Sequence, residues 1–147
     1  DAGGVTLGGE RLGVRIEGFD LGNSPREYLT VRTPTLAMST TNGTRAIVTA
    51  AERCDRVLIA SLLNLDAVTE AVRAYGDDVA VFCAGVKGSF ALDDSYVAGR
   101  IAALLGDDRS DAAEAAVRLA ASYATAEEAF RASRSGRAPS SMASAAS

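Results

Sequence analysis

The chain has 147 residues, a mass of 15.1 kDa, a hydrophobic content of 48% and a net charge of −4. These values predict one domain with a buried core, and basic residues spread along an acidic chain disfavour a nucleic-acid or anionic-membrane surface. The sequence contains no histidine, which excludes phosphohistidine intermediates and nucleophiles activated by histidine.

The two cysteines, Cys54 and Cys83, are too few for a disulfide framework, and their spacing does not suggest a zinc site. No apolar stretch approaches the roughly twenty residues that a membrane span needs. We therefore expect a soluble protein of the reducing cytoplasm, without a membrane partner.

The first part of the chain predicts loops with short strands between them. Residues 1–13 are rich in glycine and predict a loop that carries charged side chains close to the backbone. Short strands are expected at 14–17 and 28–31. The glycine, asparagine and proline residues of 18–25 predict an ordered loop between these strands.

From residue 36 onward the pattern predicts βαβ alternation. Apolar residues at 36–38 predict a strand, followed by a helix over 46–53 and a buried strand at 57–60. A crossover helix over 66–75 leads to a further strand at 79–83. Near-continuous apolar strands are typical of a parallel sheet that is covered on both faces. We therefore predict an α/β fold with a mainly parallel sheet, crossover helices and three layers.

The last part of the chain predicts helices and a tail. Apolar residues at helical spacing predict one helix over 93–105 and a longer, alanine-rich helix over 111–133. Residues 134–147 are rich in serine and alanine and have no periodicity, so we expect them to be disordered. The prediction is a single α/β domain over 1–133 followed by this tail.

A polar turn separates the strand at 36–38 from its helix, and it consists of Thr40, Thr41, Asn42, Gly43, Thr44 and Arg45. A chain that restarts as a helix leaves backbone N–H groups that an anion can accept. The same residues are also ordinary helix caps. Taken alone, the residues favour the capping interpretation.

Other polar residues follow the predicted strands. The carboxyl ends of parallel strands border the ligand crevice, and there Asn64 follows one strand while Cys83 and Gly85 follow another. Their coincidence with the polar turn favours an anion site. A helix N-terminus contributes only about 0.3–1 kcal/mol to the binding of an exposed anion, so nearby cations are needed. The candidate cations are Arg11, Arg26, Arg45 and Lys87.

Cys83 does not begin a Cys-x5-Arg phosphatase loop, because Ser89 occupies the arginine position. A packing or substrate-contact role is therefore favoured for this cysteine over a nucleophilic one.

Four carboxylates lie in glycine-rich or helix-starting segments: Glu10, Asp20, Asp93 and Asp94. Carboxylates in such loops can hold Mg²⁺ together with water and substrate oxygens. Asp94 can instead cap the helix that follows it, and Glu10 can pair with a neighbouring arginine. Asp20 is the best candidate for a functional role.

Several short motifs occur in order along the chain. They are Gly9-Glu10-Arg11, Gly18-Phe19-Asp20-x-Gly22-Asn23-Ser24-Pro25, Thr40-Thr41-Asn42-Gly43-Thr44, Cys83-Ala84-Gly85 and Asp94 with Ala98-Gly99. Their combined order and spacing resembles the 2-phosphosulfolactate phosphatase family, and the similarity runs from about Gly8 to Arg137.

The resemblance implies an α/β phosphatase that depends on Mg²⁺ and hydrolyses 2-phospho-3-sulfolactate to 3-sulfolactate and phosphate, in coenzyme M biosynthesis or a related sulfonate pathway. Our hypothesis for such an enzyme is that Asp20, with Glu10 or Asp94, positions the metal on the phosphoryl oxygens, and that the metal and Arg45 offset charge as the ester bond breaks. The expected substrate contacts are Asn23, Ser24, Thr41, Asn42, Gly43, Thr44, Asn64, Cys83 and Gly85.

Members of that family usually carry a further N-terminal segment with an Asp-x-x-Arg-Ala motif, and they continue differently after Ser135-Gly136-Arg137. We therefore expect a piece of a longer domain with an atypical end. The alternatives are a noncatalytic anion- or nucleotide-binding module, an inactive fragment of the phosphatase, and an interaction domain that forms homo-oligomers through its alanine-rich helix. An NAD-type site is disfavoured, because no Gly-x-Gly-x-x-Gly follows a strand.

Overall fold

The computed structural model describes residues 4–137. It has an α/β fold with a small mixed sheet, five α-helices and a 3₁₀ helix, so the predicted fold class is confirmed at this level. The described residues up to Val48 form one compact unit, and those from Thr49 onward form a second.

The sheet lies in the first unit and contains three strands in the order β2-β1-β3. Strand β1 (Val5–Arg11) pairs in parallel with β3 (Thr35–Ser39) and antiparallel with β2 (Val14–Arg15). In the parallel pair, Gly9 lies opposite Ser39. The predicted strands at 14–17 and 36–38 correspond to β2 and β3.

Strand β1 corrects the prediction that the glycine-rich start is a loop throughout. A side chain on Gly8 would collide with the Tyr28 hydroxyl, and one on Gly9 would collide with the Ser39 carbonyl oxygen. Glycine therefore permits close packing here, and it also removes the alternation of apolar side chains that marks a strand in sequence.

The strand predicted at 28–31 is wrong, because most of that segment belongs to a 3₁₀ helix at Pro25–Thr30. Pro25 occupies its first turn, where a fixed φ is favourable. The Tyr28 hydroxyl donates to the Gly22 carbonyl, and Glu27 accepts the Gly22 amide at 2.8 Å. These contacts fold the segment back onto the preceding loop.

Helix α1 (Gly43–Ala51) begins within the polar turn, three residues earlier than the sequence pattern predicts. The second unit contains α2 (Leu65–Tyr75), α3 (Leu92–Leu105), α4 (Asp111–Ala121) and α5 (Ala126–Ala132). The predicted helices at 66–75 and 93–105 are confirmed by α2 and α3.

The core of the second unit lies between its last three helices. Tyr96, Ala120 and Ala129 are buried together, and Leu119 and Tyr123 pack against them. The Tyr96 and Tyr123 rings meet edge to face with their centroids 6.3 Å apart. This small, alanine-rich cluster brings α3, α4 and α5 close to one another.

The single helix predicted over 111–133 is wrong, because α4 and α5 are separate. The Ser122 hydroxyl donates to the Leu119 carbonyl at 2.7 Å, at the end of α4. Thr125 then caps α5 by accepting the Glu128 amide at 3.1 Å. Serine and threonine thus offer the backbone local alternatives to a continuous helix.

The strands predicted at 57–60 and 79–83 are also wrong, since neither segment pairs within the described residues. Their apolar side chains are exposed, including Ile59 at 64% and Phe82 at 65%. The mainly parallel, three-layer sheet that depends on these strands is therefore not observed. An apolar run favours burial, but a strand also requires a neighbour for its hydrogen bonds.

The predicted tail begins with a turn over residues 134–137, in which the Arg137 amide donates to the Ser133 carbonyl at 3.2 Å. The rest of the tail, from residue 138, lies outside the described residues, as do residues 1–3 of the predicted glycine-rich loop. Within the described part, no helix has the length and apolar content to cross a membrane.

Candidate functional site

The polar turn before α1 is closed by a reciprocal pair of threonines. The Thr40 hydroxyl oxygen accepts the Thr44 amide at 3.1 Å, and the Thr44 hydroxyl oxygen accepts the Thr40 amide at 2.8 Å. A Cβ on Gly43 would lie 2.9 Å from the Thr40 hydroxyl oxygen, so glycine suits this packing. These hydrogen bonds directly support the capping interpretation, in which Thr44 is one of the capping residues.

Glu10 joins the end of β1 to the same turn. Its Oε1 accepts the Thr41 amide at 2.6 Å, and its Oε2 accepts the Thr41 hydroxyl at 2.9 Å and the Gly13 amide at 2.7 Å. The Thr41 hydroxyl oxygen in turn accepts the Leu12 amide at 2.9 Å. Both polar groups of Thr41 are therefore engaged by the protein itself.

The Glu10 residue is only 8% exposed, yet its surroundings favour the ionised form. Burial opposes ionisation, but donors from Thr41 and Gly13 and the charge of Arg11 outweigh it, so the pKa of Glu10 lies below its ordinary value. The group is a charged anchor that links two segments of the first unit.

Not every amide of the turn is used by the protein. Within the described residues, the amides of Gly43 and Arg45 donate to no acceptor, whereas Ala46 donates to the Asn42 carbonyl at 3.1 Å. Two N–H groups at the start of a helix are suited to bind an anion. The turn is thus both capped and available to a ligand.

The arginine side chains differ in whether they make hydrogen bonds with the rest of the protein. Arg11 donates to the Ser39 hydroxyl oxygen at 2.7 Å and to the Glu10 carbonyl at 3.1 Å. The guanidinium groups of Arg26 and Arg45 are exposed and make no ion pair or hydrogen bond among residues 4–137. Arg45 is the last residue of the turn, and this position suits it to a multiply charged anion.

Asp20 lies in the loop that packs along the edge of β1. The Leu7 amide donates to Asp20 Oδ2 at 2.8 Å, and the Asp20 and Leu21 amides both donate to the Leu7 carbonyl. Asp20 Oδ1 accepts no hydrogen bond from the described chain, and the residue is exposed. The carboxylate is oriented by backbone contacts and retains one oxygen for a ligand.

Asn23 and Ser24 are exposed in the same loop, and their side chains make no hydrogen bond with the described residues. Glu27 and Tyr28 hold the loop in place through hydrogen bonds with the backbone of Gly22. The predicted substrate contacts are therefore presented by an ordered loop.

In the second unit, Asn64 closes a turn instead of projecting freely. Its side-chain oxygen accepts the Ser61 amide at 2.7 Å, and its side-chain nitrogen donates to the Ile59 carbonyl at 2.9 Å. A ligand that bound this amide would have to replace those contacts, so the substrate role predicted for Asn64 gains no support from its geometry.

A second anchor joins the loop after Cys83 to α3. Asp94, in the first turn of α3, accepts the Gly85 amide at 2.6 Å. Gly85 has a φ of +70°, and Val86 and Ser89 close the following turn through mutual backbone hydrogen bonds of 3.0 Å. The structure thus brings together three of the predicted site residues.

The thiol of Cys83 is not prepared as a nucleophile. Burial of the thiol and the charge of Asp94 raise the pKa of Cys83, and a hydrogen bond with Ser95 offsets only part of this increase. A thiol with a raised pKa contains little thiolate at neutral pH. The raised pKa thus disfavours a nucleophilic role for Cys83, which is an exposed residue.

The residues named for magnesium differ in their suitability. Both oxygens of Glu10 are engaged by amide or hydroxyl donors, which leaves little capacity for a metal ion. Asp20 and Asp94 each use one carboxylate oxygen on a backbone amide. Among residues 4–137, no three acidic or cysteine side chains cluster as a metal site. Asp20 is exposed and keeps one oxygen without a hydrogen bond from the described chain, as a carboxylate that binds Mg²⁺ requires.

Sequence reasoning missed the residues that support the site: Ser39, Glu27 and Tyr28. Each makes a contact with backbone or with Arg11 that depends on how the chain folds back. The spacing of Glu27 behind Pro25 was a usable signal of a helical turn, because acidic residues favour a first turn.

A family model described as 2-phosphosulpholactate phosphatase matches residues 1–144. The 2-phosphosulfolactate phosphatase of Methanothermobacter thermautotrophicus is 39% identical over 132 residues, which cover 90% of this chain and 57% of that protein. A probable 2-phosphosulfolactate phosphatase of Pseudothermotoga lettingae is 43% identical over 109 residues, covering 74% of this chain and 47% of the relative.

A probable 2-phosphosulfolactate phosphatase of Clostridium botulinum strain Alaska E43 is 43% identical over 104 residues, covering 67% of this chain and 42% of the relative. The chain thus spans about half the length of the curated relatives that it matches.

Proposed function

Because this chain belongs to the 2-phosphosulpholactate phosphatase family, we propose that it carries a site for the hydrolysis of 2-phospho-3-sulfolactate to 3-sulfolactate and phosphate. The observation that carries the proposal is the polar turn before α1. There, the Gly43 and Arg45 amides have no acceptor in the described chain, and the exposed Arg45 guanidinium belongs to the same turn.

The turn supplies what a multiply charged substrate needs. The substrate carries phosphate, sulfonate and carboxylate groups, whereas the chain has a net charge of −4, so binding requires local donors. Helix-start amides bind one anionic group, and an arginine adds charge-assisted hydrogen bonds. Asn42 and Gly43 are proposed as substrate contacts in this turn, and Asn23 and Ser24 are proposed as contacts from the neighbouring loop.

Asp20 is the proposed ligand for Mg²⁺. Its Oδ2 is held by the Leu7 amide at 2.8 Å, and this contact orients Oδ1. The chemistry that Mg²⁺ supplies when bound is neutralisation of charge on the phosphoryl oxygens. Magnesium dependence and a role in coenzyme M or related sulfonate metabolism, in the cytoplasm, form part of the same proposal.

Hydrolysis forms a bond between a water oxygen and phosphorus and breaks the bond from phosphorus to the substrate's ester oxygen, which then takes up a proton. Arg45 would offset the negative charge that accumulates on the phosphoryl group. The raised pKa of Cys83 argues against a covalent thiol intermediate. A substrate contact is the role proposed for Cys83, with Gly85 beside it.

The proposal is tested by phosphate release from 2-phospho-3-sulfolactate with and without Mg²⁺. Asp20→Asn keeps the side-chain shape and should lower turnover at least about tenfold while weakening the Mg²⁺ dependence. Asp108→Asn is the matched control, because Asp108 is exposed and its side chain makes no hydrogen bond or ion pair with the described residues. Equal turnover and equal Mg²⁺ dependence in both variants would remove Asp20 from the site.

A noncatalytic anion-binding module is the second candidate, and the coverage of about half of each relative favours considering it. Such a module would use the same turn without hydrolysis. Calorimetric binding of 2-phospho-3-sulfolactate without phosphate release would support the module and contradict catalysis by this chain.

A further inference from the structure

The buried carboxylate of Glu10 is placed where its charge alone would oppose an anion. It contacts Thr41 through both of its oxygens, only two residues before the Gly43 amide. A negative charge beside an anion-binding turn weakens binding by repulsion. Glu10 can favour anion binding only if its ordering of the turn lowers the binding free energy by more than its charge repulsion raises it.

The contacts of Glu10 fix one half of the turn and leave the other half open. The Thr41 amide and hydroxyl are both taken by Glu10, and the Leu12 amide donates to the same hydroxyl oxygen. Thr41 therefore cannot offer its donors to a ligand without losing these contacts. The amides that remain are those of Gly43 and Arg45.

We propose that Glu10 is a positioning residue, which acts through Thr41 to hold the Gly43 and Arg45 amides in place for the phosphoryl or sulfonate group of the substrate. The inference rests on the proposed function of the same turn. It replaces two expectations from the sequence, namely that Glu10 binds the metal and that Thr41 contacts the substrate directly.

Two features make this role physically sufficient. Glu10 is 8% exposed, so its hydrogen bonds are shielded from competing water. Its hydrogen bond with Thr41 also connects two segments that are 31 residues apart in sequence. Such a link reduces the conformational freedom of the turn before a ligand binds, so less entropy is lost on binding.

The test uses inorganic phosphate as the probe and follows the Gly43 and Arg45 amide signals by NMR. The variants are Glu10→Gln and Thr41→Val, which removes the hydroxyl but keeps the shape and the Glu10 charge. Glu17→Gln is the matched control, because Glu17 is exposed and its side chain makes no hydrogen bond or ion pair with the described residues. We expect phosphate affinity to fall about tenfold in both variants and to be unchanged in the control.

The amide signals of Gly8 and Met38, which lie opposite each other in β1 and β3, report whether the sheet persists. In the enzymatic assay, a positioning role predicts a higher KM for Glu10→Gln with an unchanged Mg²⁺ dependence, whereas a metal ligand would change that dependence.

The outcomes separate the inference from the function on which it rests. Equal phosphate affinity in all the proteins overturns the role of Glu10 and leaves the anion turn intact. No phosphate response in the wild type overturns the turn as a site, and the inference falls with it. Loss of the sheet signals in both variants shows that Glu10 only maintains the fold.

Discussion

At the scale of single residues, the carboxylates of Glu10 and Asp20 in the first unit have different surroundings. Glu10 directs its oxygens inward to Thr41 and Gly13, whereas Asp20 uses one oxygen on the Leu7 amide and is exposed. The sequence makes both of them candidates for a metal site, because both are acidic and lie in glycine-rich segments. Burial and the number of donors distinguish the anchor from the candidate ligand.

Glu10 should make stability depend on pH. Because its folded pKa is depressed, the stabilisation is present above the pKa of glutamate in the unfolded chain and is lost as pH falls through the lower folded pKa. Glu10→Gln should cost about 1.5–3 kcal/mol at neutral pH and flatten this acid dependence. Urea unfolding at pH 3 to 7 measures both effects, with Glu17→Gln as the control. A parallel pH dependence in the wild type and Glu10→Gln would contradict the anchor.

At the scale of elements, the close packing of α3 on α4 depends on one glycine. A Cβ on Gly99 would collide with the Ala116 carbonyl oxygen and lie 2.9 Å from the Ala120 Cβ. Gly99 is buried within a helix where alanine would normally be preferred. Its role is therefore to let the two helix backbones approach each other.

Gly99→Ala should destabilise the chain by about 1–3 kcal/mol through overpacking, although helix propensity alone favours alanine by about 1 kcal/mol. Thermal unfolding measures the sign directly. Ala103→Gly, at an exposed position of α3, is the companion variant and reports the propensity effect by itself. Stabilisation by Gly99→Ala would show that α3 and α4 are not in close contact.

The helices also show which boundaries the apolar periodicity of the sequence can predict and which it cannot. The amphipathic pattern located α2 and α3 to within one residue at their starts. The same pattern joined α4 and α5, because the apolar spacing continues across a break made by the Ser122 and Thr125 side chains. A local hydrogen bond can end a helix without interrupting its apolar face.

The alanine-rich helices have a further consequence for the interaction-domain alternative. Leu119 packs against the buried cluster that contains Tyr96. A charge at Leu119 would therefore disturb the core of the second unit. Homo-oligomer formation stays a prediction, and exposed positions on α4 are the appropriate sites to test it by light scattering.

At the scale of the whole molecule, much apolar surface is exposed for a chain of this size. Three neighbouring side chains, Ile59, Leu62 and Leu63, are 64%, 43% and 79% exposed, and Phe82 is 65% exposed. Contiguous exposed apolar residues bind other apolar surfaces or molecules. The chain should therefore bind hydrophobic probes under native conditions.

Nile red, which is uncharged and does not compete for an anion site, should fluoresce with the native chain. Leu63→Ser should reduce this fluorescence roughly twofold because it removes the most exposed apolar side chain of the run 59–63. Leu29→Ser is the control, since Leu29 is 76% exposed but has no such run of exposed apolar neighbours. Equal fluorescence in both variants would show that no defined patch exists.

The sequence by itself determined the α/β class, the helices α2 and α3, the polar turn before α1 and the resemblance to the phosphatase family. These follow from side-chain identity and from local hydrogen-bonding preferences, which act over a few residues. The strand β1, the unpaired segments at 57–60 and 79–83 and the use of Glu10 were decided only by the tertiary structure. The contact between Glu10 and Thr41 joins residues 31 positions apart, and no local pattern specifies which donors a buried carboxylate meets.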